Sequence, residues 1–244
     1  MLTVNNLTGG YAHVPVLHDV SFTVADGQIA GLIGLNGAGK STTIKHVIGL
    51  LTPTKGTIAI NDLTLQQDAT AYHQQIAYVP ETPVLYPELT LKEHIDLTIS
   101  AYGLPAKETW AKADRLLAMF RLDNKLDWFP NNFSKGMRQK VMIVTAFMTD
   151  AQLFIIDEPF TGLDPLAVHD LLTIVQEKKA AGSSILMSTH ILATAQQYAD
   201  TFILLNDGRV RTQGSLAALK KEFGMTDASL DDIYMAMTKE PSAS

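Results

Sequence analysis

The sequence predicts an α/β fold, in which a parallel sheet with flanking helices is interrupted by an inserted helical subdomain. Three observations favour it. Short runs rich in Val and Ile alternate with helical segments toward both ends of the chain. Between Thr90 and Thr149, apolar residues recur mainly at helical spacing. A glycine-rich stretch, residues 34–41, joins an apolar run to the first helical pattern.

The elements follow in order along the chain. The predicted strands are 2–7, 19–24, 28–34, 56–60, 75–79, 153–156, 184–187 and 202–205. The predicted helices are 42–49, about 136–148, 165–181, 191–199, 215–223 and 230–237, in addition to the helical middle stretch. We therefore expect a single domain over 1–238, with a core (1–81 and 150–214), a helical subdomain (about 82–149) and a helical tail (215–238). Residues 239–244 are expected to be disordered.

Composition limits the possible classes of protein. The chain has 244 residues, 46% of them hydrophobic, which is enough for a sizeable core. Its net charge is −6, and no basic stripe indicates binding to nucleic acid, so no nucleic-acid partner is expected. There is no cysteine, which excludes disulfides and thiolate metal sites. No signal peptide or bilayer-spanning apolar window is recognisable, so work at a membrane would require a spanning partner.

One run matches the phosphate-loop pattern G-x-x-x-x-G-K-[ST] at every fixed position. It consists of Gly34, Leu35, Asn36, Gly37, Ala38, Gly39, Lys40 and Ser41, with Thr42 following. Glycines let successive backbone N–H groups point inward, and a helix N-terminus adds partial positive charge. Lys40 can reach the β- and γ-phosphates of a nucleoside triphosphate, and Ser41 can bind Mg²⁺. The alternative is a glycine-rich turn with an accidental lysine.

A second run places two carboxylates after four apolar residues. Asp157 and Glu158 follow 153–156, at the strand end where α/β sheets carry their sites. Adjacent buried carboxylates repel, and a shared cation resolves this, so Asp157 is assigned to Mg²⁺. Strand alternation is expected to send Glu158 the other way, toward an attacking water, as general base. A solvated acidic turn is the alternative.

Three further features are weaker when each is taken alone. Ser134 is a candidate N-cap, and Gly136 is expected to let the backbone approach a ligand, which makes a second anion cradle or simply a capped helix. His190 ends a predicted strand and can bond a γ-phosphate, although a lone histidine is more often structural. Tyr11 follows the first strand, where its ring can stack on adenine, although tyrosine is common in turns.

Taken in order, these runs resemble the nucleotide-binding subunit of ABC transporters over essentially the whole chain. The matching motifs are Walker A (34–41), the signature (133–137), Walker B (153–157), the D-loop with Asp164, and the switch residue His190. Two stretches, 78–86 and 128–137, look more narrowly like the Ecs-type exporter ATPases.

The resemblance implies an N-terminal antiparallel β region and a head-to-tail dimer that encloses two ATP molecules with Mg²⁺. Ser134, Lys135, Gly136 and Met137 would then contact the nucleotide of the opposite subunit. It also implies an integral membrane partner and a location on the inner face of the cell membrane. That the direction of transport is export is implied by the resemblance alone.

The chain departs from the family pattern at three places. Glu81 stands where the family usually has Gln; it remains a candidate ligand for Mg²⁺ and nucleotide, with added negative charge. Lys135 and Met137 replace Gly and Gln of the signature, and the D-loop matches fully only at Leu163 and Asp164.

Two functional alternatives stay open beside transport. One is a soluble ABC ATPase that acts on ribosomes or DNA. The single predicted domain and the negative net charge of the chain disfavour this alternative. The other is a sensor that barely hydrolyses ATP, which the presence of Glu158 and His190 disfavours. The run 83–87 is more apolar than a solvated turn requires. Because the family docks a helix of its membrane partner near this position, the resemblance implies a docking groove lined by Leu85 and Tyr86.

Overall fold

A six-stranded sheet forms the centre of the protein, of which a computed structural model describes residues 1–12 and 14–239. Across the sheet the strands are β10 (Arg209–Gly214), β9 (Thr201–Asn206), β3 (Ile29–Ile33), β8 (Ser184–Thr189), β7 (Leu153–Asp157) and β6 (Ile76–Val79). All neighbouring strands are parallel except β10, which runs antiparallel to β9. The carboxyl ends of β3, β6, β7 and β8 therefore meet at one edge, where the site is expected.

Alternate residues of the central strands pack into two different cores. Phe154 and Ile156 of β7 face a core shared with α6 (Pro165–Ala180) and with the helical insertion. Ile155 between them faces the opposite core, which contains Ile44 of α1 (Lys40–Val47) and the N-terminal strands. Because side chains alternate along a strand, an apolar run with every residue buried requires cover on both faces. This explains the unbroken apolar sequence of 153–156.

A second, four-stranded antiparallel sheet covers one of these faces. Its strands lie in the order β2 (Val14–Val24), β1 (Leu2–Tyr11), β4 (Lys55–Ile60) and β5 (Leu63–Thr64). This confirms the predicted N-terminal antiparallel β region. Both β1 and β2 are longer than predicted, and they carry register shifts that let them bend over the central sheet. A short helix not predicted from the sequence, α2 (Ala69–Gln74), precedes β6.

Helices occupy the stretch that the sequence marked as helical. They are α3 (Leu91–Tyr102), α4 (Ala106–Phe120) and α5 (Lys135–Phe147). Thr90 and Glu93 form a reciprocal capping box at the start of α3, and Gly103 ends it in the left-handed conformation. All three helices fall within 82–149, and the exact domain boundaries stay predictions. The overall α/β fold with a parallel sheet and inserted helices is confirmed.

The C-terminal part adds three helices to the central sheet. α7 (Leu192–Tyr198) follows β8, and α8 (Leu216–Glu222) and α9 (Leu230–Lys239) end the described chain. Their apolar residues share a third core with Ile33, the last residue of β3. The predicted disordered tail began at Lys239, but this residue still belongs to α9; the rest of that prediction, 240–244, lies outside the described residues.

Among residues 1–12 and 14–239, none of the helices combines the length and the apolarity that crossing a bilayer requires.

Candidate functional site

The phosphate-loop sequence forms the connection between β3 and α1, as predicted. Gly37 and Gly39 adopt positive φ angles of 85° and 108°, which favour glycine. A Cβ on Gly34 would lie 2.7 Å from the carbonyl oxygen of Leu205, so the loop passes too close to β9 for a larger residue. The loop therefore curls against the sheet and presents the N-terminus of α1 to the cavity beside it.

That cavity has a volume of about 470 Å³, within the usual range for small-molecule sites. Its lining residues are Tyr11, Val16, Leu35, Asn36, Gly37, Gly39, Lys40, Ser41, Thr42, Glu81, Glu158 and His190. All but Val16 were predicted to bind nucleotide or to act in catalysis. Val16 was missed because β2 was predicted to begin at Asp19. Gly34 and Ala38 belong to the loop but do not line the cavity.

Lys40 is buried beneath the loop, with 7% of its surface exposed. Its Nζ donates a hydrogen bond to the carbonyl oxygen of Gly34 at 2.8 Å and lies 3.7 Å from Glu158 Oε1. A buried ammonium group requires such partners, because desolvation of an unpaired charge is costly. The charge of Lys40 is thus held at the base of the cavity, within reach of a bound anion.

Asp157 is the last residue of β7 and is buried beside Glu158. Burial raises the pKa of Asp157, and the adjacent Glu158 carboxylate adds to this effect. Hydrogen bonds from the hydroxyls of Ser188 and Ser41 oppose it, as does the positive charge of Lys40. The Ser188 Oγ donates to Asp157 Oδ1 at 2.5 Å. The sequence analysis assigned no role to Ser188, because its contact with Asp157 depends on the pairing of β7 with β8.

Glu158 reaches the cavity for a different reason from the one predicted. It follows the last residue of β7, and its φ of 46° lies in the left-handed region, so strand alternation does not govern its direction. The alternation argument was therefore wrong. The side chain instead turns toward His190, whose Nδ1 lies 2.7 Å from Glu158 Oε2. Glu158 is thus placed between Lys40 and His190.

His190 follows β8 and projects into the cavity with 60% of its side chain exposed. Its backbone N–H donates to Glu158 Oε2 at 3.3 Å, so both its ring and its main chain contact the same carboxylate. A carboxylate that orients an imidazole fixes the direction of the second ring nitrogen. The predicted bond from His190 to a γ-phosphate stays a prediction.

Tyr11 and Glu81 line the rim of the cavity, and both are exposed. The Nζ of Lys45 donates to the Tyr11 hydroxyl at 3.1 Å and lies 5.2 Å from the centre of its ring. These contacts fix the ring beside α1, where it is accessible to a planar ligand. Glu81 lies two residues beyond the end of β6.

The donor groups at this edge fit a magnesium ion that arrives with a nucleotide. The Ser41 hydroxyl lies near enough to Asp157 to lower the pKa of its carboxyl group, and Glu81 lines the same cavity. In the part of the chain that the structure describes, no group of three or more His, Asp or Glu residues could hold a metal ion by itself. Mg²⁺ commonly keeps several waters and takes phosphate oxygens as ligands, so two or three protein oxygens are sufficient.

The signature residues lie outside this cavity. Ser134 caps α5, as predicted, by accepting a hydrogen bond from the N–H of Met137 at 3.2 Å. The backbone at Gly136 packs closely against residue 162 of the same chain, because a Cβ on Gly136 would lie 2.5 Å from the carbonyl oxygen of Gly162. The approach of Gly136 to a ligand stays a prediction. Lys135 is exposed at the start of the helix.

Asp164 connects the signature helix to α6. Its Oδ1 accepts from the N–H of Ala167 at 2.9 Å and caps α6, and its Oδ2 accepts from Lys140 of α5 at 2.7 Å. The hydrogen bond from Lys140 holds the pKa of Asp164 below its usual value. The predicted D-loop residue therefore has a structural contact within its own chain.

Replacing Asp164 with alanine is expected to lower the free energy of unfolding by about 1–2 kcal/mol, the usual cost of losing an N-cap. Because the folded pKa of Asp164 is lowered, its contribution is present at neutral pH and lost as the pH falls through the folded value. Urea denaturation at pH 7 and at acidic pH measures both effects, with the exposed Asp123→Ala as control. An equal loss of stability in the two variants would contradict this role.

The fold and the site together define a phosphate-loop NTPase. A glycine-rich loop, a buried acidic pair and a histidine converge at the carboxyl edge of a parallel sheet. Residues 17–161 match the model of the family described as ABC transporter. The chain belongs to this family: it is an ABC-type ATPase, the ATP-binding subunit of an ABC transporter.

Individual relatives agree with this assignment. The chain is 58% identical to the ABC-type transporter ATP-binding protein EcsA of Bacillus subtilis (strain 168), over 98% of this chain and 97% of that protein. It is 35% identical to the Nod factor export ATP-binding protein I of Rhizobium meliloti, over 86% of this chain and 62% of the other. A solved structure described as an ATP binding subunit of an ABC transporter superposes with a TM-score of 0.96, at 54% identity, over 98% of this chain and 100% of that one.

Proposed function

We propose that this subunit couples ATP hydrolysis to export by a membrane-spanning partner, from the inner face of the cell membrane. The relatives support this proposal by their names: one is an ABC-type transporter ATP-binding protein, and another serves Nod factor export. The observation that carries the chemistry is the placement of Lys40, Glu158 and His190 around one cavity. The transported compound would be selected by the partner.

Within the cavity, the residues divide into binding and catalytic roles. The N–H groups of the phosphate loop and the start of α1 would receive the phosphates, and Lys40 would exchange its contact with Gly34 for phosphate oxygens. Mg²⁺ would bind Ser41 and, through water, Asp157, and would offset the buried negative charge there. Tyr11 would stack on adenine. Glu81 would supply an oxygen ligand to the metal ion or accept a hydrogen bond from the attacking water.

Glu158 is proposed as the general base. Its carboxylate lies at the base of the cavity and accepts from His190, so it is held in one orientation. A positioned carboxylate that removes a proton from the attacking water contributes about 10²- to 10⁴-fold to a rate. His190 would then bridge Glu158 and the γ-phosphate.

A second copy of the chain would complete the site. The signature residues Ser134–Met137 do not line the cavity, yet they begin a capped helix of 13 residues with an exposed Lys135. A helix N-terminus with unpaired N–H groups suits an anion. We infer a head-to-tail dimer in which this helix contacts the nucleotide held by the other subunit. Lys135 would bring a positive charge to that nucleotide.

The surface for the membrane partner is proposed at residues 83–87. Val84 and Tyr86 are exposed by 73% and 61% and lie two residues apart in one apolar run, and neighbouring exposed apolar side chains of this kind can form an interaction surface. Leu85, which was predicted to line the groove with Tyr86, is half-buried and packs against the helical core. The most exposed side chains of the proposed docking surface are therefore Val84 and Tyr86.

Replacing both Val84 and Tyr86 with glutamate is expected to reduce recovery of the membrane partner at least about tenfold, because burying unpaired charge costs several kcal/mol. The measurement is quantitative mass spectrometry of the membrane-spanning protein that co-purifies with the tagged chain from detergent-solubilised membranes. ATP hydrolysis by the isolated variant should stay unchanged. Leu50→Glu, exposed elsewhere by 69%, is the matched control. Full recovery with the double variant would place the docking surface elsewhere.

A further inference from the structure

The C-terminal helix α9 contacts the phosphate loop through one buried side chain. The backbone N–H of Leu35 donates a hydrogen bond of 2.7 Å to the hydroxyl oxygen of Tyr234. The two residues are 199 positions apart, and Tyr234 is only 5% exposed. Because this N–H is directed at the tyrosine, it contacts the C-terminal helix, and the other N–H groups of the phosphate loop are left to receive phosphates.

The other side of the loop has a fixed partner as well. The carbonyl oxygen of Ala38 accepts from the N–H of Gly208, in the turn between β9 and β10, at 3.0 Å. The loop residues between these two anchors include Gly37, whose conformational freedom is large in an unanchored chain. Fixing the loop at Leu35 and at Ala38 lowers the entropy that must be lost when a nucleotide orders it.

α9 also contacts the helix that follows His190. The N–H of Leu230, the first residue of α9, donates to Gln196 Oε1 of α7 at 2.6 Å. Leu230, Ile233 and Tyr234 share one apolar core with Ala195 of α7 and with Ile33, which directly precedes the loop. One helix therefore contacts both the segment that carries the phosphate loop and the segment that follows the switch histidine.

We propose that Tyr234 is a positioning residue for nucleotide binding. By accepting the Leu35 N–H, it holds the phosphate loop in its curled conformation before ATP arrives, and α9 joins the loop to α7. The inference rests on nucleotide binding at the phosphate loop. It adds a role for the C-terminal helix, which lies outside the residues matched by the family model.

The test is Tyr234→Phe, which removes the accepting oxygen and keeps the packed ring. We expect the Kd and the KM for ATP to rise about 3- to 10-fold, as for the loss of one hydrogen bond, with kcat within about twofold of the wild-type value. In the nucleotide-free protein, hydrogen exchange of the Leu35 amide should become faster. The matched control is Tyr102→Phe, which removes another 2.7 Å phenol hydrogen bond to the backbone, at Ile76.

The control should lose stability without a change in the Kd for ATP or in Leu35 exchange. Unchanged Leu35 exchange in Tyr234→Phe would overturn the contact, and faster exchange with an unchanged Kd would overturn its role in positioning. If Tyr234→Phe does not fold, the exposed Gln196→Ala takes its place: it removes the acceptor of the Leu230 N–H and so loosens the start of α9, and we expect faster Leu35 exchange together with a raised Kd. Failure of the wild-type protein to bind ATP would contradict the proposed nucleotide site. Hydrogen exchange of the Leu35 amide would still test its hydrogen bond to Tyr234 in that case.

Discussion

Replacing Glu158 with glutamine is expected to lower ATP turnover by about 10²- to 10⁴-fold, the usual contribution of a general base. The amide has nearly the same size as the carboxylate and can still bond to His190, so the cavity should keep its shape. It cannot accept a proton at neutral pH. The loss should therefore appear in kcat.

ATP binding should persist in this variant, because the phosphate loop and Lys40 are unchanged. Removing a negative charge 3.7 Å from Lys40 Nζ also removes repulsion of the phosphates, so the Kd should stay the same or fall. ATP that is bound but not hydrolysed should stabilise the closed pair of subunits. The measurements are magnesium-dependent phosphate release and light scattering with and without ATP.

Glu177→Gln is the matched control, since Glu177 is an exposed glutamate paired with Arg115. It should hydrolyse ATP at the wild-type rate. Turnover of Glu158→Gln within about threefold of wild type would remove Glu158 from its proposed role, given the expected range for a general base. Persistent monomers with saturating ATP would contradict the proposed dimer.

Replacing Lys40 with alanine is expected to weaken ATP binding about 100-fold or more, since each hydrogen bond to a charged group contributes about 1.5–3 kcal/mol. Lys40 is buried at the base of the cavity and its charge faces Glu158. Without it, the loop loses a cation, and Glu158 is left to repel the phosphates. Both changes act in the same direction.

Calorimetric titration with Mg²⁺ and ATP up to millimolar concentrations measures this effect. Circular dichroism should show that the variant is folded, because the backbone of α1 does not require the lysine side chain. Lys112→Ala removes a lysine that is 41% exposed on the helical subdomain, and it should bind ATP normally. A Kd for Lys40→Ala close to the wild-type value would contradict the assignment of the phosphate loop.

Local sequence was sufficient for much of the candidate site. The phosphate loop is eight consecutive residues, so its identity and its position between a strand and a helix were predicted together. Asp157, Glu158 and His190 were assigned because each follows a recognisable apolar strand, and parallel strands bring their carboxyl ends to one edge. Tyr11 lines the same cavity, and its stacking on adenine stays a prediction.

Other features depend on packing that leaves no local pattern. The direction of Glu158 follows from one left-handed backbone angle, and strand alternation gave the wrong reason for it. The close packing of Gly136 against the backbone of Gly162 was not predicted, because the two residues are distant in sequence. The half-buried position of Leu85 follows from the helical core behind it.

By itself, the sequence determined the class of this protein, its α/β fold and the residues that meet at the phosphate loop, because these are encoded in short contiguous motifs and in strand periodicity. The tertiary structure alone decided the contacts of Lys40 with Glu158, of Glu158 with His190, and of Tyr234 with Leu35. These pairs are separated by 118, 32 and 199 positions. Their distances are set by how two sheets and the C-terminal helix pack, and such packing depends on all of the buried surfaces together.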